Sequence, residues 1–185
     1  MANGGTWDPI SLPIRPGLYL NFVEAALAAI AGGPRGIVGT PVYTYNGTAE
    51  AGKFYTIEDE DYAVELFGAN NAKQVLRILA GGAKEVLAFA VPDVTTYDGL
   101  DEEEKLATQY IDIRDQFEAR LFDVFVYPDV IEPLEVDATV AWTKRNRSEG
   151  KHFTYVIGGT ADEDKDPTVG NARSVRCKDD YVVNL

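Results

Sequence analysis

Read by the spacing of its apolar residues, the chain divides into a front part without a sustained period and a back part with a regular one. In the back part, residues 85–91 are apolar from Val86 onward without a polar break, as in a strand covered on both faces. Leu106, Tyr110, Ile113 and Phe117 then recur every three or four positions and predict a helix over 101–120. Residues 121–127 are apolar again. A second cycle opens at Pro133, which suits a first helical turn; Leu134, Ala138, Ala141 and Trp142 mark its expected buried stripe, Gly150 its end, and 152–157 the next strand. Strands without a polar face that alternate with helices predict an α/β domain: an open, largely parallel sheet with helices on both faces and right-handed crossovers. After it, 158–169 reads as an acidic loop, 172–177 as a strand, and 180–185 as an apolar run of the kind expected inside a longer polypeptide.

The front part is punctuated instead of periodic. Residues 1–22 hold Gly4, Gly5, Pro9, Pro13, Pro16 and Gly17, a density that forbids a helix and leaves the backbone extended. They are expected to form an arm whose end, rich in apolar and aromatic residues, suits a strand that must find a sheet to join. Alanines over 23–31 favour a short helix, stopped by Gly32, Gly33 and Pro34. A small strand-rich segment follows, with strands over 37–45 and 54–57 and a tight turn at Asn46-Gly47. Asp59 or Asp61 then caps a helix ending at Gly68, and 72–80 forms another with Val75, Leu76 and Leu79 on one face, stopped by Gly81. The expected organisation is an arm over 1–22 and one α/β domain over 23–185.

Charge narrows the partners. The 17 basic and 30 acidic residues give a net charge of −13, which repels phosphate backbones and anionic lipid headgroups, so neither nucleic acid nor a membrane is expected as a partner. No apolar run approaches the ~20 residues of a membrane span, and the first residues lack the order of a signal peptide. The single cysteine, Cys177, agrees with a reducing cytosol.

The search for chemistry falls first on the carboxyl ends of the parallel strands, where such sheets place ligands. Two near repeats, Val91-Pro-Asp-Val94 and Tyr127-Pro-Asp-Val130, set Asp93 and Asp129 there. As a pair they could hold a metal in a small hydrolase; as turn residues they need no function, and aspartate is common in turns. Asp162, Asp164 and Asp166 alternate as in a calcium loop, but Pro167 replaces the required glycine and Arg173 the bidentate glutamate. Gly158-Gly159-Thr160 leads into acidic residues that would repel a phosphate. His152 has no serine or cysteine nucleophile placed with it, and Lys144, Arg145 and Arg147 read as the solvated end of a helix. No catalytic residue, metal ligand or cofactor is expected.

A series of short motifs carries a resemblance. It comprises Arg15, Pro16, Gly17, Leu18, Tyr19, Leu20, Asn21 and Phe22, then Gly33-Pro-Arg-Gly-Ile-Val38 with Pro41 after it, and Glu65-Leu-Phe-Gly68. Ala80-Gly-Gly-Ala-Lys-Glu-Val-Leu87, Phe122-Asp-Val-Phe-Val-Tyr-Pro-Asp129 and Ser148-Glu-Gly-Lys151 follow. In this order the chain resembles the tail sheath proteins of contractile phages and related injection machines, over essentially its whole length. The resemblance implies a non-enzymatic subunit that stacks in six-membered rings as a helical sleeve around a tail tube and shortens to drive the tube through a cell envelope. Its implied partners are other copies of itself, the tail tube protein, and baseplate and tail terminator proteins. It implies a place in the virion tail sheath, after assembly in the host bacterial cytoplasm. The arm residues Arg15 to Phe22 become expected subunit contacts, since an extended segment ending in a strand suits β-augmentation of a neighbour. Two departures stand out: the family's subunits commonly continue past residue 185, and the inserted domain many carry after the first sheath strand has no room in 92–100. A generic adaptor that docks by its arm is the remaining alternative.

Overall fold

The computed structural model of the protein describes residues 36–129, 131–160 and 162–185. The expected arm, with Arg15 to Phe22, and the expected helix over 23–31 lie outside the described residues.

Six strands form one sheet: β1 (Ile37–Val42), β2 (Phe54–Ile57), β3 (Glu85–Ala90), β4 (Val124–Val126), β5 (Thr154–Ile157) and β6 (Val182–Asn184). Their order is β2-β3-β1-β4-β5-β6, with β2 antiparallel to β3 and every other pairing parallel. The central strand β1 aligns Val38 with Val86 on one side and Val124 on the other. Five helices connect them: α1 (Glu60–Phe67), α2 (Lys73–Ala80), α3 (Glu102–Glu118), α4 (Pro133–Ser148) and α5 (Pro167–Arg176). The chain leaves β1 for β3 on one side, then returns past β1 to β4 on the other. That reversal makes the gap between β1 and β4 the switch point of the sheet.

The strands β1 and β3 lack a polar face because both of their faces are covered. Val42, Ile57, Val86, Ala88 and Ala90 pack with Ala63, Leu66, Phe67 and Val75 of α1 and α2. Leu87, Phe89, Phe125 and Tyr155 on the opposite face pack with Ile113 and Phe117 of α3 and Val140 and Trp142 of α4. The cover by α1 and α2 is confined to β1, β2 and β3, and Val124, Val126 and Val156 stay half-buried.

Local signals explain where the elements begin. Asp59 caps α1 by accepting from Tyr62 N, and Asp101 with Glu104 forms a reciprocal capping box at α3. The Asp123 carboxylate accepts from the amides of Gly36 and Ile37 at 2.7 and 3.0 Å and thereby fixes the entry of β1 against β4.

Several expectations are corrected. The segment over 172–177 belongs to a helix, not a strand: Pro167 stands at its first position and Asp166 accepts from Thr168 N at 2.8 Å, while Gly170, Val169 and Val175 disguise the helical pattern. The loop from 158 is accordingly shorter. Asn46-Gly47 does not turn directly out of the strand expected over 37–45, because β1 already ends at Val42; the amides of Asn46, Thr48 and Ala49 donate to the carbonyls of Phe67, Glu65 and Leu66 at the end of α1. Glycine is needed at 47 because a Cβ there would collide with the carbonyl oxygens of Glu65 and Leu66. In α4 the buried stripe runs through Val136, Thr139, Val140, Trp142, Thr143 and Asn146, leaving Leu134 and Ala141 exposed. Thr139, Thr143 and Asn146 are buried without penalty because their side chains donate to the carbonyls four residues back, at 2.7, 2.9 and 3.0 Å. Leu106 of α3 is likewise exposed, while Ile113 and Phe117 hold the core.

Candidate functional site

The carboxyl edge of the sheet is where Asp93 and Asp129 were expected to meet. They follow β3 and β4, and β1 lies between those strands, so the two leave strands that are not neighbours in the sheet. Asp93 is committed to a turn: its Oδ1 accepts from the hydroxyl and the amide of Thr95 at 2.7 and 2.9 Å, which hold its carboxyl below the usual range. Asp129 is exposed. The metal-dependent hydrolase built on this pair therefore has no support. Among the described residues no group of three His, Cys, Asp or Glu side chains could hold a metal ion.

The switch-point crevice is filled by the protein's own side chains. Tyr43, the first residue after β1, packs against the α3-side core next to Tyr110 and Tyr127, and burial followed by those neighbouring phenols pushes its own phenol far above the ordinary range. Tyr45 donates its hydroxyl to Val91 O at 3.1 Å, and Gln109 Nε2 donates to Pro92 O at 2.8 Å, so the end of β3 is also closed. Tyr127 stands edge-on to Tyr110 at 5.6 Å and is pushed up to about 12 by burial, against the hydrogen bond with Thr139 and the charge of Arg114. Arg114 is itself buried and paired with Glu135 at 2.7 Å.

The remaining polar candidates have structural work. Arg147 holds Asp179 with both guanidinium nitrogens, at 2.9 and 3.3 Å, and Lys144 lies 3.7 Å from the same carboxylate. The Arg147 guanidinium also stacks on the Tyr181 ring at 4.6 Å, with His152 against the same ring at 5.8 Å. Arg145 pairs with Glu118. The basic cluster is thus a clamp from α4 onto α3 and the approach to β6. After β5, the amide of Thr160, which a phosphate would need, is taken by Glu163 at 2.8 Å; Asp162 pairs with Lys165 and Asp166 caps α5. Cys177 is buried in the core, and burial pushes its thiol up.

One space at the carboxyl edge is open. A cleft of about 440 Å³ lies beside the ends of β4 and β5, under α5. The sheet itself ends at β2 and β6, whose outer edges pair with no further strand among the described residues. Sequence reading missed Tyr43, Asp123 and Asp179; a lone tyrosine or aspartate next to a strand carries no signal until the strand order is known.

Neither a protein-family model nor a curated protein matches the chain. Its fold is shared with crystal structures of two sheath tail proteins. The one from Desulfitobacterium hafniense is 16% identical, with a TM-score of 0.54 over 91% of this chain and 56% of that one. The one from Listeria innocua is 14% identical, with a TM-score of 0.56 over 88% of this chain and 53% of that one. The chain spans about half the length of the solved structures it matches.

Proposed function

We propose that this chain is a structural subunit of a contractile tail sheath, which polymerises helically around a tail tube and contracts to drive the tube through a cell envelope. The observation that carries the reading is the fold held in common with two sheath tail proteins over about nine-tenths of this chain. The motif order from Arg15 to Lys151 supports it independently. In this reading residues 1–22 are an arm and 23–185 the sheath domain. Arg15, Pro16, Gly17, Leu18, Tyr19, Leu20, Asn21 and Phe22 bind a neighbouring copy as an added strand, because an extended segment can pair its backbone groups with the edge of a neighbour's sheet. Repeated contacts between unlike surfaces, through a rotation that does not close, produce a helical sleeve. Six-membered rings, contacts with the tube, baseplate and tail terminator proteins, and assembly in a bacterial cytoplasm belong to the same proposal. A plugged switch-point crevice suits a protein whose task is mechanical.

Electron microscopy of the purified protein tests this. Striated tubes are expected, and deletion of residues 1–22 should leave folded monomers that form none. Monomers alone from the intact chain across a wide range of concentration and salt, or tubes unaffected by the deletion, would count against it.

A further inference from the structure

Open parallel sheets bind ligands outside their carboxyl ends, and this molecule treats two such positions differently. The crevice between β1 and β4 is packed by Tyr43 and Tyr110. The cleft beside the ends of β4 and β5 is not filled by the helix that covers it. A crossover helix in such a sheet ordinarily buries an apolar stripe, yet α5 buries none of its side chains. Its ties are polar: Arg173 Nε to Asn184 Oδ1 at 2.6 Å, Asn184 Nδ2 to Ser174 at 2.6 Å, and Arg176 to both carboxylate oxygens of Asp137 at 2.8 and 3.1 Å. The helix therefore stands over the strand ends and leaves about 440 Å³ beneath it, within the roughly 300–1,000 Å³ of small-molecule sites.

The walls define what fits. Tyr127 and Tyr155 line the cleft, their rings perpendicular with centroids 6.3 Å apart, together with Val136 and Ile157, and Val169 and Ala172 face it from α5. Most charges on the rim already have partners, the exposed Asp129 at the end of β4 being the exception. Arg176 is held by Asp137, Arg173 Nη2 donates to Leu185 O at 2.9 Å, and Glu163 accepts from Thr160 N at 2.8 Å. An anion entering here would meet the carboxylates of Asp129 and Glu163, a cation would shed water against apolar walls for the solvated Asp129 alone, and an apolar body leaves every pair intact. The cleft opens to solvent, and an apolar molecule seated in it gains by covering apolar wall that water would otherwise touch. The geometry points to a binding site for a small, neutral, largely apolar molecule, of the size and shape of a single aromatic ring system. It does not depend on the sheath reading, since the cleft is formed within one copy of the chain.

The test is a titration of the ¹⁵N-labelled full chain with indole, followed by amide chemical shifts, with benzoate and inorganic phosphate as charged comparisons. Indole is expected to move the amides of Gly158, Gly159 and Ala172 saturably, and to bind at least tenfold more tightly than benzoate. Ala172→Phe, which places a ring in the cleft from an exposed helical position, should weaken indole at least tenfold while amides in α1 and α2 stay where they were. Val169→Phe provides a second filled variant should the first disturb the fold. The proposal is overturned if indole shifts do not saturate, if benzoate or phosphate binds as well, or if both filled variants bind indole unchanged. It is also overturned if the same amides shift with protein concentration alone, which would make a second copy the occupant.

Discussion

Tyr43 and Tyr45 leave the end of β1 two residues apart and are stabilised in opposite ways. The hydroxyl of Tyr45 donates to Val91 O, whereas that of Tyr43 is sealed from solvent with only the Tyr110 hydroxyl beside it, outside good hydrogen-bond geometry. Its ring packs on the core at the switch point beside Tyr110 and Tyr127, so its value lies mainly in its apolar body. A buried donor without a partner forfeits about 1–3 kcal/mol, while an ordinary hydrogen bond contributes about 1 kcal/mol. Tyr43→Phe should therefore cost less than Tyr45→Phe, which should lower stability by about 1 kcal/mol. Urea unfolding of the two variants decides the matter; a loss at Tyr43→Phe equal to that at Tyr45→Phe would mean the Tyr43 hydroxyl is satisfied after all. The same comparison tests the crevice as a plug, because Tyr43→Ala should cost more than either, about 2 kcal/mol for an aromatic ring packed on the core but only partly buried.

Among the elements, those with a local cause were legible and those shaped by distant contacts were not. Asp101 and Glu104 cap α3 through neighbours in sequence, and β3 reads as a strand because its apolar run has to fill both faces. The stripe of α4 was displaced because Thr139, Thr143 and Asn146 count as polar in any hydropathy pattern, yet hide their polar atoms in backbone bonds one turn back. The role of Gly47 could not be seen without knowing that its loop runs against the end of α1. Asp93 and Asp129 looked paired only because the position of β1 between them is a property of strand order. Asp179 is a similar case: nothing beside it in sequence announces a clamp, but it joins α4 to the start of β6 through Arg147 and Lys144. Its side chain is only 8% exposed. Desolvation raises its pKa, but the Tyr181 amide, Arg147 and Lys144 outweigh that and hold the carboxyl below its ordinary value. A depressed folded-state pKa contributes stability that is present above the unfolded pKa, about 3.9, and is lost as pH falls through the lower folded value. Asp179→Asn should accordingly cost about 2 kcal/mol near neutral pH, the scale of a hydrogen-bonded charge pair. The difference from the parent should shrink below about pH 4. Denaturant midpoints measured at several pH values would show this convergence, and a gap independent of pH would exclude the ionic clamp.

For the whole molecule the dominant electrostatic fact is the charge of −13, and a sleeve made of such subunits has to bring like charges together. Each interface must therefore gain enough from strand pairing and apolar contact to overcome mutual repulsion. That repulsion reaches about 30 Å at roughly 0.01 M salt, and only about 8 Å at physiological ionic strength. Apolar contact and backbone pairing are nearly indifferent to this change, so adding salt removes an opposing force and leaves the attractive ones in place. If the chain assembles as proposed, the polymer fraction recovered by sedimentation should rise several-fold between about 0.02 M and 0.3 M sodium chloride, the range over which surface charges become screened. The opposite trend, tubes that form in low salt and dissolve as it rises, would require interfaces built from complementary ion pairs. Copies of this chain would then associate through local basic surfaces that outweigh its overall acidity, and the arm would cease to be the main source of cohesion.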